Sequence, residues 1–196
     1  MTERLSEEAL VALHAQWARL GAFLRVASTD APVDLEALLI ATASAAPDDA
    51  RLLIIMGSWL QQYAPVVDTD RLQRMIVEHD RIARDGWPVT SATLGAALTW
   101  ASDDNAPPLR QAAAACRPLD PPQWLSRVWA YVPALSALRR PDVMPAFAAW
   151  GLWHTDATFK TSIIRPRWWI EARCTELAAR FARLPAAPVE PDEQRE

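Results

Sequence analysis

Arginine and tryptophan converge in one short segment, Ile163-Ile164-Arg165-Pro166-Arg167-Trp168-Trp169. Arg165 and Arg167 flank a proline that suits the first turn of a helix. Arg173, Arg180 and Arg183 continue along the residues that follow. Guanidinium groups in such a row recognise anionic groups, either phosphates or the carboxylates of an acidic partner. Trp168 or Trp169 would then stack on a base or fill a pocket of the partner. Neighbouring side chains on a helix point about 100° apart, so both rings do not fit one core layer. One of them is therefore expected at the surface. The bland alternative is a tryptophan pair split between core and boundary, with solvated arginines neutralised by Glu171 and Glu176 at helical spacing. The partner-binding set read from the sequence is Arg165, Arg167, Trp168, Trp169, Arg173 and Arg180.

Charge and aromatic distribution extend the same signal. Six of the ten tryptophans (Trp124, Trp129, Trp150, Trp153, Trp168 and Trp169) lie between positions 124 and 169. Residues 117–185 carry a net +5, the first 116 residues −6, and the segment from 186 onward −3. Tryptophan and arginine are the side chains most enriched at interaction hot spots, and a split of charge along a chain points to a partner surface. Lysine occurs once, at Lys160, and a GC-rich bacterial coding bias accounts for the preference for arginine without any function.

Other chemistry is sparse. Glu78-His79-Asp80 offers a general base or a metal ligand. A hydrogen-bonded core histidine is the simpler account of His79, because one histidine without second-site ligands is a weak signal. His154-Thr155-Asp156 reads as a helix end with capping residues, and Asp103-Asp104 as a solvated loop. The glycines are five and scattered, and no phosphate-binding, dinucleotide-binding, nucleophile-elbow or zinc-protease motif is present. Cys116 and Cys174 form neither a disulfide framework nor a metal spacing, and Cys174 reads as a buried reduced thiol. No catalytic residue, metal site or cofactor is expected.

These side chains must be positioned by helices. Alanine and leucine dominate, and the prolines fall between periodic stretches. The spacing predicts a first helix from Ser6 to Ala27 with the stripe Leu10, Leu13, Trp17, Leu20 and Leu24, and a second opened by Asp34. A third starts after Asp48-Asp49, is apolar all round and therefore central, and ends at Pro65. A fourth, capped by Asp68 or Thr69, turns Leu72, Met75, Ile76, His79 and Ile82 inward. A fifth runs from Pro88 through Trp100, and a short one spans Leu109 to Cys116. Helical pieces follow at Pro122–Tyr131, Ala134–Arg139 and Pro141–Trp153, and a last helix from Pro166 to Leu184. Residues 158–164 allow one short β-hairpin at most.

The fold class expected is therefore all-α: one compact multi-helix domain, either a bundle or a short HEAT- or TPR-like stack. The stack alternative rests on a faint repeat, with Val33-Asp34 echoed by Val67-Asp68 and Trp59 by Trp100. An acidic N-terminal half (1–104) and a Trp/Arg-rich C-terminal half (105–185) pack as one domain, followed by a disordered acidic tail (186–196). The N-terminus lacks a signal-peptide pattern, and the longest apolar run, Leu52 to Leu60, falls far short of the ~20 residues that span a bilayer. A cytoplasmic protein without membrane contact is expected.

Three functions compete on these grounds. The leading one is a non-enzymatic protein–protein interaction module, a helical regulator, adaptor or complex subunit whose Trp/Arg surface meets a hetero-complex partner or a second copy. The second is nucleic-acid binding through the basic half, which the overall pI near 5.4 opposes. The third is a metal-dependent hydrolase built around Glu78, His79 and Asp80.

Overall fold

The computed structural model describes residues 5–24, 26–27, 29–82, 85–102, 107–125, 145–153 and 163–184. They form an all-α domain of nine helices: α1 (Glu7–Arg19), α2 (Leu35–Ala45), α3 (Ala50–Tyr63), α4 (Thr69–Ile82), α5 (Trp87–Ala101), α6 (Pro107–Ala113), α7 (Pro145–Ala148), α8 (Arg167–Glu171) and α9 (Thr175–Phe181). One two-residue parallel pairing joins β1 (Gln123–Trp124) to β2 (Leu152–Trp153).

Helix starts follow local chemistry. The amides of Ala9, Ala37 and Arg51 donate to the side-chain oxygens of Ser6, Asp34 and Asp49, which satisfies donors that the first turns of α1, α2 and α3 leave free. Asp68 does the same for the amide of Arg71 at the head of α4. Pro65 sits in a single 3-10 turn, Ala64–Val66, that closes α3.

The core is centred on two helices. α3 is apolar nearly all round, as its sequence requires. α5 is buried without a break from Thr90 to Leu98 and packs on α2, α3, α4, α6 and α7. Its small residues allow this: a Cβ on Gly95 would lie 2.6 Å from the Trp150 ring, so only glycine lets α7's following turn seat against α5. Each fully buried large apolar side chain contributes roughly 1.5–3 kcal/mol through burial. Such side chains are plentiful, from Trp17, Leu20 and Leu39 to Trp59, Phe147 and Phe181.

Several sequence expectations are corrected. α1 stops at Arg19, not Ala27, because Gly21 takes a left-handed conformation (φ +94°) and the chain turns away. Ile82 is about half exposed instead of facing inward, since α4 buries only Leu72 and Ile76 completely. The helix expected from Pro122 is extended at Gln123–Trp124; the prolines ahead of it lack amide donors. There the Leu119 and Gln123 amides donate to the Trp150 and Gly151 carbonyls instead. Helix over 141–153 is confined to Pro145–Ala148 among the described residues, and the last helix is two, α8 and α9. The break at Cys174, a non-helical residue (φ −123°, ψ 84°), lets Glu176 reach across to α1. Both Glu176 oxygens accept from Arg19 Nη2 at 3.2 Å, and Oε1 also accepts from the Val33 amide. The pieces expected at Ala134–Arg139, most of the 158–164 hairpin, His154 to Asp156, Asp103-Asp104, Trp129 and the 186–196 tail lie outside the described residues. Ile164 pairs with Ala22 in an isolated antiparallel bridge. No helix among the described residues is long and apolar enough to cross a membrane.

Candidate functional site

The segment that enters α8 is tied to the end of α1 by backbone bonds. Phe23 N donates to Ile163 O at 2.8 Å, and Arg165 N to Gly21 O at 2.7 Å. Tyr63 Oη, from α3, donates to Arg165 O at 2.9 Å. Burial of the phenol raises its pKa to about 12, so it remains a donor at neutral pH. Gly21 is needed twice over. Besides its positive φ, a Cβ there would come within 3.0–3.2 Å of Ile170 and Arg165 side-chain carbons.

This clamp fixes an arginine–aromatic stack. The Arg165 guanidinium lies 3.5 Å over the Phe23 ring and 5.6 Å from the Trp169 ring. On Trp169 the Arg173 guanidinium sits at 4.2 Å. Phe23, Arg165, Trp169 and Arg173 thus form a ladder of alternating ring and cation. Phe23 is about half exposed and Trp168, next to the ladder, is 68 % exposed, the solvent-facing ring that the 100° step demands. Ala18, Ala22, Phe23, Leu24, Val26, Arg165 and Trp169 line an open cleft of about 350 Å³. Among the described residues, neither Arg165 nor Arg173 has a carboxylate partner. The site therefore offers two cations, an apolar recess and a projecting indole, which suits a ligand surface that is acidic and carries an apolar side chain.

The remaining arginines read from the sequence serve the fold. Arg180 donates to both oxygens of the fully buried Glu36, at 2.5 and 3.1 Å, and to Val66 O. Its hydrogen bond to Glu36 raises its pKa. Arg167 bonds Glu171 Oε1 at 2.8 Å and the Phe181 carbonyl, so it staples α8 to the end of α9. The sequence did not single out Phe23; its only signal was a phenylalanine just past the glycine that ends α1. Nor did it show that Trp17, Trp59, Tyr63 and Phe181 form a chain of tilted and edge-to-face ring contacts through the core. Trp150, counted in the C-terminal excess, packs on Gly95 and donates to Thr99 Oγ1 at 3.0 Å.

The Glu78-His79-Asp80 group does not converge. His79 stacks on Trp87 at 4.9 Å, Asp80 pairs with Arg117 at 2.5 Å, and Glu78 lies 3.7 Å from Arg81. Among the described residues no three His, Cys, Asp or Glu side chains are grouped to hold a metal ion. A second open cleft, about 530 Å³, lies beside Asp80, Trp87, Arg117 and Asp120. Both cysteines are free and buried. Burial lifts the Cys116 thiol to about 12 and raises Cys174 as well, where Glu176 adds to the effect.

No protein-family model, curated protein or solved structure matches this chain.

Proposed function

We propose that this chain is a non-enzymatic interaction module, an adaptor or subunit that docks an acidic, partly apolar surface of a protein partner on the Phe23–Arg165–Trp169–Arg173 ladder. One observation carries the reading: two guanidiniums are held face-on to aromatic rings, beside an open cleft and an exposed indole, without a carboxylate among the described residues to neutralise them. A solvated arginine alone costs nothing to expose. Stacked arginines and a large exposed ring at one place resemble instead the anchors that dominate binding energy at interfaces. Arg167 and Arg180 are left out of the contact set, because their donors are engaged within the fold.

Affinity capture of the tagged full chain at low salt, compared with its Arg165→Glu/Trp168→Ala variant, tests this. A stoichiometric protein companion retained by the parent and lost by the variant, with helical circular dichroism unchanged, is the expected result. Equal retention by both overturns the assignment of the surface, and nucleic acid in place of protein in the captured material overturns the partner class.

A further inference from the structure

We infer that, when no partner is bound, the ladder of one chain is covered by the acidic start of α1 of a second copy, in a twofold pair. The inference rests on the reading of the ladder as a binding surface and adds its regulation: the second copy competes with the partner.

Charge complementarity is the first argument. Glu7 and Glu8 open α1 and are exposed. Neither has a cationic partner among the described residues. Val11, one turn further on, is also exposed. The start of α1 is thus a pair of unneutralised carboxylates beside an aliphatic side chain. The ladder presents the reverse, the unneutralised guanidiniums of Arg165 and Arg173 beside an apolar cleft.

The second argument is where the two patches lie. Ala18 and Ala22 line the cleft. Val11 precedes Ala18 by seven residues and Glu7 by eleven, about two and three helical turns, so the three side chains share one face of α1. The patches therefore occupy opposite ends of that face, about 16 Å apart along the helix from Glu7 to Ala18 at 1.5 Å per residue. Backbone bonds fix the ladder at its end: Ala22 N donates to Trp17 O at 2.9 Å, and Arg165 N to Gly21 O at 2.7 Å. A face with opposite charges at its two ends is complementary to itself. Rotating a second copy by half a turn about an axis through the middle of that face sets each acidic end on the other's ladder. Two equal contacts then form and the pair is closed.

Each contact by itself is weak, because exposed ion pairs contribute little. Once one has formed, the other becomes intramolecular, which strengthens the pair without any new chemistry. A partner must displace the second copy, so partner binding acquires a threshold that rises with protein concentration. Because exposed charges carry the attraction, about 1 M salt, with a Debye length near 3 Å, dissolves it.

Sedimentation velocity of the full chain at low salt, from about 10 μM to 1 mM, covers the range of such weak association. The mass is expected to rise with concentration from 21.8 kDa toward twice that value and no further, and to fall back in 1 M NaCl. Glu7→Arg/Glu8→Arg and Arg165→Glu/Arg173→Glu should each self-associate about tenfold more weakly or worse. An equimolar mixture of these two variants should associate again, since every reversed charge then meets an opposite one. Circular dichroism checks that both are folded, and Glu7→Gln/Glu8→Gln, which adds no repulsion, should weaken the pair as well. A parent that is monomeric throughout overturns the inference. So does association that the charge-reversed variants retain, a mixture that stays monomeric, or growth beyond two copies. Glu7→Arg/Glu8→Arg leaves the ladder intact and should capture partner at least as well as the parent. A monomeric parent whose capture is lost in Arg165→Glu/Trp168→Ala would remove the twofold pair and keep the binding surface. Association restored in the mixture, without any captured companion, would remove the partner and keep the pair.

Discussion

Arg180 and Glu36 stand 144 positions apart in sequence and meet as a two-pronged ion pair, both carboxylate oxygens accepting from the two terminal nitrogens of one guanidinium. Arg71 Nη1 reaches Glu36 Oε2 at 2.8 Å from the other side, and the Asp68 amide donates to Oε1 at 2.9 Å. One buried carboxylate thus ties the last helix to α2 and to the head of α4. A buried charge is tolerated only when paired and hydrogen-bonded, and Glu36 has both.

Removing that charge should be costly. Glu36→Gln leaves Arg180 without its anion while Arg71 keeps Asp34, and the expected loss is about 3 kcal/mol, the low end for breaking one side of a buried pair. Arg180→Ala should cost less, because the arginine is partly exposed to water. Urea unfolding midpoints measure both. Wild-type stability in Glu36→Gln would show that the network contributes nothing.

Gly21→Ala should destabilise the fold by about 1–3 kcal/mol, the cost of a side chain held at positive φ. The new Cβ also presses on Ile170 and the Arg165 stem. The Trp169 environment should change with it, so its indole resonance should move more than that of Trp150, which packs on Gly95. Equal stability of the two proteins would sink this account of the turn.

Arg165→Glu/Arg173→Glu should behave differently from Arg180→Ala. Each substitution forfeits about 0.5–1 kcal/mol of cation–aromatic attraction, so the protein should remain folded while partner capture is lost. Thermal unfolding alongside capture separates the two effects. A fall of the melting temperature as large as that of Glu36→Gln would assign these arginines to the fold.

Asp34 is held below the ordinary carboxylate range, first by its hydrogen bond with Arg71 and then by the Ala37 amide, against the opposing effect of burial. Its native pKa lies below the unfolded value near 3.9, so the stability it contributes is present above about pH 4 and is lost as pH falls through the native value. Asp34→Asn keeps an N-cap for α2 and removes the charge. The stability gap between parent and variant should be constant from pH 5 to 7 and close below pH 4 in urea titrations. A gap that persists at pH 2 would mean the ion pair with Arg71 is not its source.

Cys116 and Cys174 should resist alkylation in the native protein. At pH 8 a thiol with a pKa of about 12 has almost no thiolate, and both side chains are buried. Labelling by iodoacetamide should follow unfolding, with both sites modified in urea and neither without it. Rapid labelling of either thiol without denaturant would show that the segment burying it opens readily.

The all-α class, the capping residues Ser6, Asp34 and Asp49 and the buried run of α3 were legible in the sequence, because hydrogen bonds within a turn and the 3.6-residue period act over a few residues. Local pattern also located the arginine–tryptophan segment. It did not separate Arg165 and Arg173, stacked on aromatic rings, from Arg180 and Arg167, which are spent on Glu36 and the Phe181 carbonyl. Nor did it reveal that α5 is central, since small residues such as Gly95 and Ala97 look unremarkable until a Trp150 ring needs the space. Where α1 stops, and where the last helix breaks at Cys174, were decided by bonds to segments more than a hundred residues away: Gly21 with Arg165, and Arg19 with Glu176. A chain's local energetics fix which pieces become helices. The partners of its long charged side chains depend on which pieces the core brings together, and that information exists only after the chain has folded.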